Sequence, residues 1–414
     1  MAVFKPLKAI RPKPEYADKV AALPYDVMNS EEAKEMVKGN PYSFLHVDKA
    51  EIDLPEGTYL YSDEVYQKAK ENLEKLVTDG ICIDDNDAKY YIYRQIMNGR
   101  AQTGIVGAAS IDDYIEGRIK RHEFTRADKE EDRIRHIDTC DANTGPIFLT
   151  YRQKDNISDF IKSYCDNNSP IYDFVSDGVQ QTVWEISSKD LISDLEEMLS
   201  NVGDYYIADG HHRCASAAKV GMKRREENPD FNGSEEFNLF LAVLFADSDL
   251  EIMDYNRVIK DLNGLSAEEF LNKISEKFEV EKQTACEPFK PSEKHTFGLY
   301  MEKCWYKLTA KDGIFDESDP VDRLDVSILQ NNLISPILGI TDPRTDKRID
   351  FVGGIRGLKE LEKRAESDMK IAFSMFPTTL DDLMSIADAG KVMPPKSTWF
   401  EPKLLSGLFI HKLK

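Results

Sequence analysis

The sequence lacks any apolar run approaching the length of a membrane span, which excludes a helical membrane protein. Its opening residues, Met-Ala-Val-Phe-Lys-Pro, lack the apolar core of a secretion signal, so a cytoplasmic location is expected. Cysteine is scarce: six residues, at positions 82, 140, 165, 214, 286 and 304, form no Cys-x-x-Cys pair. That spacing excludes a zinc ribbon and a disulfide scaffold, and scattered thiols fit a reducing compartment. No His-x-x-x-His pair exists, and His46, His295 and His411 stand alone, as structural histidines do. There is no Gly-Lys-Ser/Thr phosphate loop and no dinucleotide-binding glycine fingerprint. Positive charge is also short. A net charge of -21 repels a nucleic-acid backbone, so no nucleic-acid partner and no membrane partner are expected.

What remains is an ordinary globular composition, 41% hydrophobic and 31% charged, in a chain of 414 residues. That length is too great for one simple core, and the elements predict a multi-domain α+β (mixed α/β) protein. A region over 1–254 would carry the functional motifs, with a possible sub-boundary in 150–200. A smaller C-terminal α+β unit over 255–414 would follow, its tail free to return to the site. Helical spacing runs from Ser62 to Thr78 (Val65, Ala69, Leu73, Leu76). Tyr90 to Gln95 and Thr103 to Ser110 read as strands of a hairpin turning at Asn98-Gly99. Arg126 to Arg135 is a charged run predicted as a solvated helix. Phe237 to Phe245 is almost wholly apolar and reads as a central strand. Helices are predicted over Ser266 to Phe278, Ser327 to Leu333 and Leu358 to Glu366. Two basic islands stand out on this acidic chain: Arg118, Lys120 and Arg121, and a final segment with Lys396, Lys403, Lys412 and Lys414. Short basic islands suit a small anionic ligand.

The most informative stretch runs from Tyr205 to Lys219. Tyr205, Tyr206 and Ile207 are strand formers, Asp209 and Gly210 break the strand, and Ala215 to Ala218 read as a closely packed helix. A helix start exposes unpaired N–H groups and a partial positive charge, and Gly210 admits a ligand close to the backbone. His211, His212 and Arg213 add side-chain donors, so the stretch reads as a phosphate or nucleotide site, the alternative being a capped core helix whose histidines are merely packed. Asp209 is either an N-cap or, beside these residues, a Mg²⁺ ligand or catalytic carboxylate.

A second constellation is Arg121-His122-Glu123-x-Thr125. Glu123 beside Arg121 has the character of a general base or a site for a substrate ammonium, and Arg121 and His122 are candidate substrate contacts. The alternative is a polar surface loop. Pro394-Pro395-Lys396-Ser397-Thr398 would present Lys396 from a stiff loop, a further candidate substrate contact, or else simply pack through Trp399 and Phe400. Phe351-Val352-Gly353-Gly354-Ile355-Arg356-Gly357 is a weak glycine-rich candidate.

With Leu23-Pro24-Tyr25-Asp26-Val27, Arg121-His122-Glu123-x-Thr125, Asp209-Gly210-His211-His212-Arg213 and Met393-Pro394-Pro395-Lys396-Ser397-Thr398 in this order, the chain resembles the family catalogued as domain of unknown function 1015. Its Asp-Gly-His-His-Arg element is similar to the phosphate-binding strand-turn-helix of free L-serine kinases related to ParB and sulfiredoxin. That resemblance implies a kinase moving a phosphoryl group from ATP or ADP, with Mg²⁺, to a hydroxylated amino acid, L-serine first. Gly210, His211, His212 and Arg213 would meet the donor phosphates, and Asp209 the metal or the reacting hydroxyl. The resemblance does not align the base, which is either Glu123 or Asp209. No other tightly bound cofactor is implied, and homo-oligomerisation is left open. Sulfiredoxin carries a reactive cysteine where His211 stands, and Cys214 lies on the wrong side, so its reductase chemistry is not expected. The alternative from another class is a non-catalytic nucleotide or phosphate sensor.

Overall fold

A computed structural model describes residues 1–283 and 287–414; Cys286 lies outside them. The described residues form two compact units, 1–250 with 402–414, and 251–401. The fold is mixed α+β.

In the first unit, among the described residues, a nine-stranded mixed sheet carries the larger core. The hairpin forms as its sequence predicts. Strands Tyr90–Met97 and Arg100–Ser110 pair with Met97 opposite Arg100, and Asn98 and Gly99 take φ of 51° and 80°. Both central residues of this turn need positive φ, which Asn and Gly tolerate best. Leu239–Ala246 lies between Arg100–Ser110 and Ile147–Tyr151, and its apolar run is explained by burial on both faces. Tyr205–Asp209 runs antiparallel to Ile147–Tyr151, and the register slips between Ile207 and Asp209. The extra residue, Ala208, is a bulge that turns the strand end just before Gly210. A four-stranded sheet completes the unit, built on strands Ala9–Pro12 and Cys82–Asp84 and joined by Ile410–Lys412 from the chain's end.

The charged run after Arg126 departs from its predicted solvation. It forms the helix Ala127–Cys140, but Glu130, Asp132, Arg133 and His136 are buried. Each is partnered: Glu130 with Lys219 and Thr125, Asp132 with Tyr66 and Arg133, and His136 with the Val47 carbonyl. Charge density misled the pattern because opposite charges on neighbouring elements neutralise one another inside the unit.

In the second unit a six-stranded antiparallel sheet packs Val258, Val352, Ala372, Tyr300 and Trp305 against the helix Leu358–Ser367. The helix predicted over 327–333 is longer and distorted. Asp325–Leu329 passes through a π-helical turn, Gln330–Ile334, into Ser335–Leu338. Pro336 lacks an N–H and crowds the carbonyl four residues back, which widens the preceding turn. The helix Leu380–Asp388 and the strand Tyr172–Ser176 were not legible as elements.

The helix His211–Glu227 lies close to its neighbours through small residues. A Cβ on Gly221 would meet the Ile111 side chain and the Phe237 carbonyl oxygen, each at 2.5 Å. Alanine ordinarily stabilises a helix interior by about 1 kcal/mol over glycine. Here the backbone carbonyl cannot yield, so Gly221→Ala should instead cost about 1–3 kcal/mol of stability by urea unfolding.

Candidate functional site

The site of the first unit begins where the bulged strand ends. Gly210 takes φ of 92°, a left-handed conformation that favours glycine, and caps the helix without any side-chain cap. Asp209 is therefore not the N-cap. Its carboxylate turns to Lys403, 3.2 Å away, and faces the Arg213 guanidinium at 3.8 Å. Burial works to raise the Asp209 carboxyl, but the charges of Lys403, Arg213 and His211 overcome it and hold the group ionised well below the carboxylate range. Neighbouring protein encloses it on most sides, yet 32% of its side-chain surface stays open.

Arg213 is turned inward. Its Nη1 donates to the Pro146 carbonyl, while its buried Nε has no hydrogen-bond partner. The guanidinium lies flat over Gly210, where any Cβ would stand only 3.1 Å from its Nε. A glycine is required here by contact as well as by backbone angle. A cavity of about 20 Å³, enough for a water, lies beside Arg213 between Tyr25, Asp48, Arg133 and Thr144.

The two histidines do something the sequence did not reveal. His211 Nε2 accepts the His122 backbone N–H at 3.4 Å, and His212 Nε2 accepts the Arg126 N–H at 3.0 Å. An accepting ring nitrogen carries no proton, so both are neutral in this arrangement. They clasp the 121–126 loop over the helix start. Phosphate contacts from these histidines would have to come from Nδ1 or from their backbone N–H groups.

His122 is buried, 2% exposed, with its ring at 88° to that of His211 and centroids 4.4 Å apart. Neither of its ring nitrogens makes a hydrogen bond, the Ile207 backbone lying nearby but outside hydrogen-bond geometry. Burial lowers its pKa to about 4, and burial also holds His211 well below the usual imidazole range. His122 is thus a core ring and is not presented to a substrate as expected. Arg121 is exposed at the loop's start, and Glu123 is half-buried beside it in sequence.

Lys396 is not in this unit; it belongs to 251–401. Two residues the motif reading left out are near. Lys403 had appeared only as one lysine of a basic tail. Asp26, in the short turn Tyr25–Val27, is the first carboxylate whose charge acts on Arg213, and it also acts on His212. Its signal was the Leu-Pro-Tyr-Asp-Val motif itself, whose proline fixes the turn (Pro24 at φ -63°).

As for metal, Lys403 and Arg213 already claim the one carboxylate at the turn. No group of three or more His, Cys, Asp or Glu suited to a metal ion occurs among the described residues. The residues do not form a protein cage for Mg²⁺. No helix among the described residues is long and apolar enough to cross a membrane.

The family model described as "Protein of unknown function (DUF1015)" matches residues 4–327. Among solved structures, a free serine kinase variant in complex with AMP is similar at 15% identity, covering 72% of this chain and 87% of that one, with a TM-score of 0.37. A second variant in complex with ADP is similar at 14% identity, covering 74% and 90%, with a TM-score of 0.37. SbnI with C-terminal truncation, from Staphylococcus aureus, matches at 10% identity over 73% and 85%, with a TM-score of 0.38. No curated protein matches the chain. Likeness at this level aligns no side chains, so the site is read from this chain's own residues.

The depressed histidine pKa values set a pH dependence. In the unfolded chain His122 takes up a proton near pH 6.5, whereas in the fold it does so only near 4. Its neutral state therefore favours the fold fully above pH 6.5, and this contribution, on the order of 3 kcal/mol, is lost as pH falls toward 4. Stability measured between pH 6.5 and 4 should fall more steeply for the natural chain than for His122→Gln, which cannot titrate there. Parallel slopes would show that His122 is accessible and protonated in the fold.

Proposed function

We propose that this chain, which belongs to the DUF1015 family, is a phosphotransferase that binds a nucleotide at the Gly210 turn and phosphorylates a small hydroxylated metabolite. Free L-serine is the acceptor to test first. One observation carries this reading: an uncapped helix start in which two cations, the buried Arg213 and the half-buried Lys403, converge on a single carboxylate. On a chain of net charge -21, that local excess of positive charge, beside unpaired N–H groups, favours an anionic ligand.

Phosphoryl transfer asks the protein for positioning, charge neutralisation and a base. The backbone N–H groups of His211, His212 and Arg213, with the Arg213 Nε, receive the phosphates. Lys403 moves its charge from Asp209 to the phosphoryl oxygens. The metal enters as part of the substrate, MgATP or MgADP. Between the two candidate bases the electrostatics favour Glu123. A carboxylate held as strongly ionised as Asp209 is a weak proton acceptor, suited to orienting Lys403 and the acceptor hydroxyl. Arg121, exposed on the clasped loop, is the proposed contact for the acceptor's carboxylate.

The test is phosphorus NMR of the full chain with MgATP or MgADP and L-serine, with O-phosphoserine as the expected product. Glu123→Gln should lower turnover about a hundredfold or more while leaving nucleotide affinity nearly unchanged. Lys403→Met, and Arg213→Ala where it folds, should weaken nucleotide binding by roughly 1.5–3 kcal/mol in calorimetry. Nucleotide binding without phosphoserine would instead identify a nucleotide sensor. Absence of nucleotide binding would overturn both readings.

A further inference from the structure

The second unit holds a cationic cluster of its own. Arg257 lies in the strand Tyr255–Ile259 and is only 4% exposed. Burying a guanidinium is costly unless a negative group compensates it. Here the compensation is incomplete. Arg257 donates through Nη1 to the Tyr255 carbonyl and through Nη2 to the Lys396 carbonyl, at 3.0 Å for the latter. It makes no ion pair among the described residues, and burial lowers its pKa to about 10.

The surroundings of Arg257 follow from strand alternation. Tyr255 and Arg257 point to one face. Asp254 and Asn256 point to the other, where Asp254 is held by Lys290 at 3.1 Å and by Asn256 at 2.6 Å, away from the arginine. The arginine face is aromatic. Arg257 lies 5.5 Å from the Phe351 ring centre, and Tyr255 packs edge-on against Phe351 and Trp399. A second cation joins it: the exposed Lys396 holds its ammonium 5.6 Å from the Tyr255 ring centre. The nearby Glu401 accepts the Trp399 indole N–H.

Lys396 is also strained, at φ of 59°. A non-glycine residue is disfavoured in this left-handed region and persists where its surroundings hold it. Three hydrogen bonds do so: Arg257 to the Lys396 carbonyl, Ser397 Oγ to the Pro394 carbonyl, and Thr378 Oγ1 to the Ser397 carbonyl. The glycine-rich Phe351–Gly354 segment serves the same cluster by packing. A Cβ on Gly353 would stand 2.9 Å from the Trp399 ring, so glycine lets that ring lie against the strand. A purely structural tether between strand and loop would need only neutral hydrogen bonds. This one has two cations on an aromatic face whose missing partner is an anion.

We propose that Arg257 and Lys396 form a binding site in the second unit for a small oxyanion, the carboxylate or phosphate group of a small molecule. The planar donor fork of Arg257 gives direction, the exposed Lys396 ammonium gives charge, and the aromatic rings shield the buried guanidinium from water. Arg257 and Lys396 belong to the second unit and the Gly210 turn to the first, and the test separates the two.

Full-length Arg213→Ala protein, with the first site weakened, is titrated by calorimetry with inorganic phosphate in one arm and L-serine in the other. Saturable binding in the phosphate arm assigns the site to a phosphate group, and saturable binding in the serine arm assigns it to a carboxylate. In either case Lys396→Met and Arg257→Gln should each weaken that binding ~tenfold or more. Should Arg257→Gln fail to fold, the exposed Lys396→Met carries the test. Binding of neither ligand, or binding unchanged by Lys396→Met, overturns the proposal.

Discussion

Two backbone N–H groups donated into two adjacent histidine rings hold the candidate site of the first unit together. His211 and His212 open a helix, where ring donors would be natural partners for an anion, yet each offers its Nε2 as an acceptor to the 121–126 loop. The clasp joins segments about ninety residues apart and sets the protonation state of both rings. It also packs His122 beneath the helix start, so the loop's outer residues, Arg121 and Glu123, ride on a buried aromatic anchor. The charged helix Ala127–Cys140 continues this arrangement, with Ser216 donating to the Glu130 carbonyl and Lys219 pairing with the Glu130 carboxylate. Loosening the clasp would therefore move the loop, the helix and the strand end together.

Charge at the Gly210 turn is organised around Asp209. The bulge at Ala208 delivers the carboxylate to a place where Lys403 and Arg213 reach it from two sides. Arg213 donates to a carbonyl through Nη1 while its buried Nε makes no hydrogen bond, and Lys403 and Arg213 face the same Asp209 oxygen. Such a cluster is electrostatically preorganised to accept negative charge without first building a site. Arg257 repeats the theme in the second unit with different material, carbonyls and aromatic faces replacing the carboxylate.

Much of the backbone was legible in the sequence because local rules governed it. Asn98-Gly99 dictated its turn, the apolar 237–245 run its buried strand, and Asp209-Gly210 the break before the helix. The site was legible as a set of segments but not as a set of contacts. Sequence spacing places His122, His211 and His212 in reactive company, but only the pairing of strand Ile119–Lys120 with Tyr205–Asp209 brings the loop onto the helix. Lys403 was invisible for the same reason: nothing local distinguishes it from other tail lysines, and its partner lies 194 residues away. The charged run after Arg126 misled because its compensating charges come from distant elements. At Gly353-Gly354, read more readily as a β-turn than as a phosphate loop, the glycines answer to Trp399 and Asp254.

The first unit is made from two stretches of chain, the second of which is its last thirteen residues, 402–414. Ile410–Lys412 forms an inner strand of the smaller sheet, between Ala9–Pro12 and Ala142–Asn143. A ribosome delivers the chain from its N-terminus, and domains commonly fold as units during synthesis. Here the second unit emerges whole before the first can close, so the first must wait, its sheet edges unpaired, until residues 402–414 follow. Lys403 arrives with them. The Asp209 carboxylate thus gains its ammonium partner only after 251–401 has been made, which ties the charged turn of the first unit to synthesis of the second.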